Sequence, residues 1–91
     1  MWTVRIHKKV VKQAGSLPQV VRDRLYALAL EIEHHGPVRG NWANYGKLGE
    51  TRHHCHLKKG RPTYVAVWEE VEGEIKIVEV VYAGTHEKAP Y

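Results

Sequence analysis

The sequence holds a single cysteine, Cys55, so no disulfide can close within the chain, and a small secreted scaffold stapled by cystines is excluded. Nowhere do about 18 apolar residues run together, the length needed to span a bilayer as a helix. The opening Met1-Trp2-Thr3-Val4-Arg5 lacks the apolar stretch of a signal peptide. These absences lead us to expect a soluble, cytoplasmic protein with no membrane partner. Internal repeats and low-complexity segments are also missing. Acidic residues are scarce over residues 1–64, four against twelve Lys and Arg, whereas residues 65–91 carry six against two. The net charge of +4 therefore belongs to the first two-thirds of the chain. Such a field attracts nucleic acid or an acidic protein by the same long-range electrostatics, and argues against binding through an acidic face.

What is present is the balance of a folded globular chain: 43% hydrophobic and 26% charged over 91 residues, one domain spanning 1–91 with a modest core. Trp2-Thr3-Val4-Arg5-Ile6 alternates apolar with polar, which puts Trp2, Val4 and Ile6 on one face of a first strand. Lys8 to Ala14 reads as a short helix closed by Gly15, and Pro18 suits the first turn of a second. In that second helix Val21, Leu25, Leu28 and Ile32 recur at steps of four, three and four, one apolar stripe facing a core. His34-His35-Gly36-Pro37 ends it with polar or cationic groups at the negative terminus, a glycine able to take positive φ and a proline that cannot continue, so the two histidines read as a cap.

Residues 37–50 lack periodicity and read as a loop that Trp42, Tyr45 and Leu48 can pin down. Three strands follow, over Thr51–Lys58, Tyr64–Val71 and Ile75–Tyr82, the last two joined by a tight hairpin at Glu72-Gly73. The fold class expected is α+β, in the order β-α-α-β-β-β, with an antiparallel sheet and both helices on one face. Residues 83–91 fit neither a strand nor a helix pattern.

The segment Thr51-Arg52-His53-His54-Cys55-His56-Leu57-Lys58 is the most informative. Alternation puts Arg52, His54, His56 and Lys58 on one face and His53, Cys55 and Leu57 on the other, toward the helices. Four cationic or titratable groups about 6.6–7 Å apart, twice the strand rise, approach the spacing of successive phosphates. A solvated strand face is the plainer account of any one of them; four together favour polyanion binding. A metal site is disfavoured, because alternation sends only His54 and His56 to one side and no second Cys/His pair stands at a finger-like spacing; no cofactor is implied. His86 and Tyr91 follow the last strand, where the chain can fold back over the face carrying His54 and His56. Tyr45, Tyr64 and Trp68 are candidates for stacking on bases, and Trp68 is equally suited to a core.

The element order and the segment RHHCHLKKGRPTYVAVWEEVEGEIKIVEVVYAGTHEKAPY resemble the RelE toxins of the RelE/ParE superfamily. The resemblance implies a RelE-like fold, a ribosome-dependent endoribonuclease that cuts mRNA and inhibits translation, and neutralisation by a cognate antitoxin. The family's two basic positions on the strand after the loop fall on His54 and His56, with Lys58 following. Its arginine after the last strand falls on His86, and its terminal tyrosine on Tyr91 after a one-residue shift. The family's arginine on the next strand has no counterpart at Tyr64 or Val65; Arg61, in the preceding turn, takes its place.

RNA cleavage without a metal needs the 2′-OH deprotonated, the phosphorane charge stabilised and the 5′-oxygen protonated. Histidine suits both proton steps near neutrality. The expected site has His54 or His56 as base and His86 or Tyr91 as acid or orienting group. Arg52, Lys58 and Arg61 stabilise phosphate charge, and Tyr64 contacts RNA. Two alternatives stay open: a ParE-like toxin acting on DNA gyrase through a protein interface, and a non-catalytic RNA-binding domain.

Overall fold

The apolar stripe of the long helix and the buried face of the histidine strand meet in one core. The computed structural model describes residues 1–91 as β1 (Thr3–Ile6), α1 (Lys8–Ala14), α2 (Gln19–His35), β2 (Gly46–Leu48), β3 (Arg52–Lys58), β4 (Tyr64–Glu70), β5 (Ile77–Thr85) and a 3₁₀ turn, His86–Lys88. Val21, Leu25, Leu28 and Ile32 of α2 pack with Cys55 and Leu57 of β3, Ala66 and Trp68 of β4, and Val78, Val80 and Ala83 of β5. Trp2, Val4 and Ile6 lie partly buried against this core, as their alternation requires. No helix is long and apolar enough to cross a membrane.

Five features correct the expected fold. The five-stranded sheet, in the order β1-β5-β4-β3-β2, is mixed rather than antiparallel, because β1 runs parallel to β5. The two helices between β1 and the other strands supply the crossover that a parallel pair needs. The loop over residues 37–50 contains a three-residue strand, β2, paired antiparallel with β3. The last strand continues to Thr85 and passes into the 3₁₀ turn, so two-thirds of the stretch that lacked a pattern is regular. The β4–β5 connection is also longer than a tight hairpin, running from Val71 to Lys76. Pro18 stands just ahead of α2 as its N-cap rather than inside the first turn.

The end of α2 follows its sequence signals. Gly36 takes φ +91° and its N–H donates to the Ile32 carbonyl. A β-carbon there would come within 3.0 Å of the Trp2 indole, so glycine is required both by backbone and by space. Glu31, lower on the helix, accepts from Asn41, Trp42 and Arg39 and ties the following loop down. Tyr45 and Trp68 are committed to this side of the sheet, where Trp68 is fully buried and donates to the Pro37 carbonyl. Neither is placed to stack on a base.

His53 occupies the interior as alternation predicts, and its polar atoms are matched. The ring stacks on Trp68 at 5.8 Å; Nδ1 meets the Tyr45 hydroxyl at 2.6 Å and Nε2 meets the Glu70 carboxylate at 2.9 Å. A carboxylate only accepts, so Nε2–H donates to Glu70 and, in the neutral ring, Nδ1 accepts from Tyr45. His53→Ala leaves a cavity and two unpaired groups and should lower stability by about 2–4 kcal/mol. Urea denaturation checks this, with an unchanged slope showing that the effect is on stability.

Candidate active site

β3 delivers its odd and even residues to opposite surfaces. Cys55 and Leu57 are buried beneath the helices with His53, while His54 and His56 stand on the other face, paired in register with Val67 and Val65 of β4. Those valines point away from the helices and are nevertheless fully buried. The chain beyond β5 folds back over them. The Tyr91 ring lies 4.8 Å from that of His54, the His86 ring 5.8 Å from that of His56, and His86 and Tyr91 meet edge to face at 5.9 Å. The four residues proposed from the sequence as catalytic thus form one contiguous cluster.

Backbone contacts fix both arms of it. The His86 N–H donates to the Thr63 carbonyl at 2.8 Å, anchoring the 3₁₀ turn to the loop between β3 and β4. The Thr63 hydroxyl donates to the Gly60 carbonyl, closing that loop on itself. Between loop and turn lies an open cleft of about 680 Å³ lined by His56, Gly60, Arg61, Pro62, Thr63, His86 and Glu87. On the opposite flank, Gly46 of β2 faces His54 across the ladder; a β-carbon there would sit 3.0 Å from His54 Nε2, so the absent side chain makes room for the ring.

Burial governs the electrostatics. The pKa of His54 is lowered by desolvation, then by the charge of His86. His56 is lowered by desolvation first, then by His86, Lys59 and His54. Nδ1 of each ring is buried without a hydrogen-bond partner. Both rings therefore favour the neutral form, able to accept a proton. Burial raises the Tyr91 phenol above its ordinary value, with Cys55 and Tyr82 adding to the shift, so it keeps its proton. The Cys55 thiol, on the helix side, is pushed up to about 12 by burial and then by Glu31, and is not a nucleophile.

The charged residues expected beside the histidines are placed less uniformly. Arg61 lines the cleft. Arg52 shares the face of His54 and His56, but its guanidinium is paired with Glu69 at 2.8 Å. It stands four residues from His56, roughly 13 Å along the strand. A register shift between His56 and Lys58 pairs Lys58 with Tyr64 and breaks the evenly spaced row of four. Tyr64 alternates with Val65 and so shares the helix side with Ala66 and Trp68, where it packs against the core rather than on the histidine face. Lys59 and Glu87 were missed. Lys59 acts on His56 through its charge, and its signal in the sequence was only its place beside Lys58. Glu87 had none beyond adjacency to His86.

The fold has counterparts among solved structures. A chain of the archaeal RelE-RelB complex from Pyrococcus horikoshii OT3 superposes with a TM-score of 0.62 at 20% identity, covering 97% of this chain and 98% of that one. A double arginine-to-alanine mutant of the E. coli toxin RelE in its free state gives 0.67 at 19% identity, covering 94% and 84%. The chain has the RelE fold. No family model and no curated protein matches its sequence, so the likeness to RelE is one of architecture, with the histidine cluster read from this chain's own residues.

Because the pKa values of His54 and His56 are lowered in the folded protein, the unfolded chain binds more protons as pH falls. Their contribution to stability is complete above pH about 6.5, the unperturbed value, and is lost as pH falls through the folded values. NMR titration of the imidazole Cε1–H signals should show both midpoints below 6.5, and His86→Gln should move both upward.

Proposed function

We propose that this protein is the toxin of a toxin-antitoxin pair, an endoribonuclease that cuts mRNA on the ribosome and so inhibits translation. The observation that carries this reading is the pairing of His56 and His86 across one cleft with Arg61 on its rim. Two imidazoles 5.8 Å apart can flank a phosphodiester, one on each side of the phosphorus. His56, favouring its neutral form, takes the 2′-OH proton; the 2′-oxygen attacks phosphorus; the bond to the 5′-oxygen breaks and His86 donates a proton to it. The products are a 2′,3′-cyclic phosphate and a 5′-hydroxyl. Arg61 and Lys59 stabilise the charge on the phosphorane, and the protonated Tyr91 phenol, tilted against the His54 ring, orients the group above the cluster.

The RelE fold and the name of the RelE-RelB complex among its structural neighbours support an antitoxin partner. The basic loop at Lys58, Lys59 and Arg61 is the surface an acidic antitoxin segment would mask. Expression of the chain alone should arrest growth and create new 5′ ends within translated codons, and co-expression of its antitoxin should prevent both; intact mRNA alongside trapped gyrase–DNA complexes points to a ParE-like action instead. RNA bound but left intact on programmed ribosomes points to a binding domain.

The assignment of roles has a sharper test. His56→Ala and His86→Ala should each lower single-turnover cleavage on programmed ribosomes by roughly 10²–10⁴-fold, the contribution of one acid or base. His56→Lys keeps a positive charge yet supplies no group titrating near neutrality, so it should fail to restore the rate. Rescue by lysine makes phosphate contact the role of His56.

A further inference from the structure

The turn that carries His86 is three residues long and exposed, so this imidazole is placed by its backbone rather than by burial. Its ring meets those of His56 and Tyr91 by their edges. The peptide unit joining Thr85 to His86 is bound at both of its polar atoms. The His86 N–H donates to the Thr63 carbonyl at 2.8 Å, and the Thr85 carbonyl, on the opposite edge of the same plane, accepts from the Tyr82 hydroxyl at 2.7 Å. A plane held at one edge pivots about that bond. Held at both, its orientation is fixed, and with it the direction in which the His86 side chain leaves the backbone.

Tyr82 reaches its acceptor by lying along its own strand. Tyr82 and Gly84 share the histidine face of β5, opposite Val67 and Val65 of β4. A β-carbon at Gly84 would stand 2.8 Å from the Tyr82 hydroxyl oxygen and 3.0 Å from the ring carbon that bears it. The backbone at Gly84 has no positive φ, so glycine is needed there for space alone. The Tyr82 phenol also acts on that of Tyr91 through its charge, after burial and Cys55, which places it at the back of the histidine cluster. We propose that Tyr82 is a positioning residue of this site: its hydroxyl, bound to the Thr85 carbonyl across the space that Gly84 leaves, aims His86 at His56. The proposal rests on the endoribonuclease reading for its chemical meaning; the aim of the His86 ring is measurable without RNA.

NMR titration of the imidazole Cε1–H signals in the intact protein, followed by single-turnover cleavage on programmed ribosomes, tests this. Desolvation and then the charge of His86 lower the pKa of His54 and of His56, so their midpoints report how near the His86 ring stands. Tyr82→Phe keeps the aromatic ring and removes one hydroxyl; both midpoints should move upward, in the direction that His86→Gln moves them and by less. Cleavage should fall roughly 10- to 100-fold, the cost of about 1 Å of misplacement at a reacting group, with the ribosome concentration at half-maximal rate unchanged. Gly84→Ala, which pushes the Tyr82 ring off its acceptor, should do the same, and the double variant should be no worse than either single one because both act through one contact. Where Gly84→Ala does not fold, Tyr82→Phe decides alone. A folded Tyr82→Phe protein with both midpoints unchanged overturns the proposal whatever its melting temperature, because a strut for stability alone leaves His86 where it was. Shifted midpoints with cleavage at the native rate keep the positioning and remove His86 as the acid; shifted midpoints in a protein whose native form leaves mRNA intact keep the positioning and lose the nuclease.

Discussion

The register of β3 is the constraint on which the rest depends. Its residues serve two faces, so a slip of one position would carry His53, Cys55 and Leu57 out of the core and drive His54 and His56 into it. The core resists that exchange at each buried position. His53 is bound at both nitrogens by groups from different elements, Tyr45 and Glu70, and stacked on Trp68. Cys55 and Leu57 fill the space under the α2 stripe. The outward histidines are consequently held by packing on the far side of the strand, on a rigid element rather than on a loop.

The second face is covered by a different means. Val65 and Val67 would expose apolar surface to water were it not for the side chains of His54, His56 and the returning segment from His86 to Tyr91. That covering partly desolvates the histidines and leaves their Nδ1 atoms without partners. A buried unsatisfied polar group costs about 1–3 kcal/mol. The core side satisfies both ring nitrogens of His53, whereas Nδ1 of His54 and of His56 lacks a partner, a contrast in keeping with the proposed site, since departures from polar satisfaction concentrate where function requires them. The same burial that stabilises the valines keeps the imidazoles ready to accept a proton.

The sequence shows whichever features arise from local periodicity. The α2 stripe and the two-faced character of β3 follow from spacings of three and four and of two, the α1 span and the end of α2 follow from the stop signals at Gly15 and Gly36, and all hold in the structure. The fold-back of His86 and Tyr91 was legible only as a possibility of position. The features that escaped depend on partners distant in the chain. β1 pairs with a strand more than seventy residues away, and Arg52 with Glu69, seventeen residues on. β2 is too short for any period to show. The irregularity after His56 is a property of the β3–β4 pair and leaves no mark on β3 alone, which is why Lys58 was placed in the row.

The uneven charge of the chain becomes geometry through the hairpins. β4 is seven residues long, roughly 23 Å, and the loops at its two ends differ in sign. Lys58, Lys59 and Arg61 belong to the β3–β4 end; Glu69, Glu70, Glu72 and Glu74 belong to the β4–β5 end, where Glu69 also faces Glu79 across the ladder. Arg52 stands at that second end and is neutralised there by Glu69. The two ends lie farther apart than the Debye length of about 8 Å at physiological salt, so each presents its own local field, one repelling a polyanion and the other attracting it. On the proposed function, a polyanion reaches the cleft between Arg61 and His86 across the ends of the strands rather than along β3. On that same reading, the even spacing of side chains on the histidine strand is thus not the ruler for the phosphates; the polarity of the hairpins sets where they lie, with His56 and His86 toward the basic end.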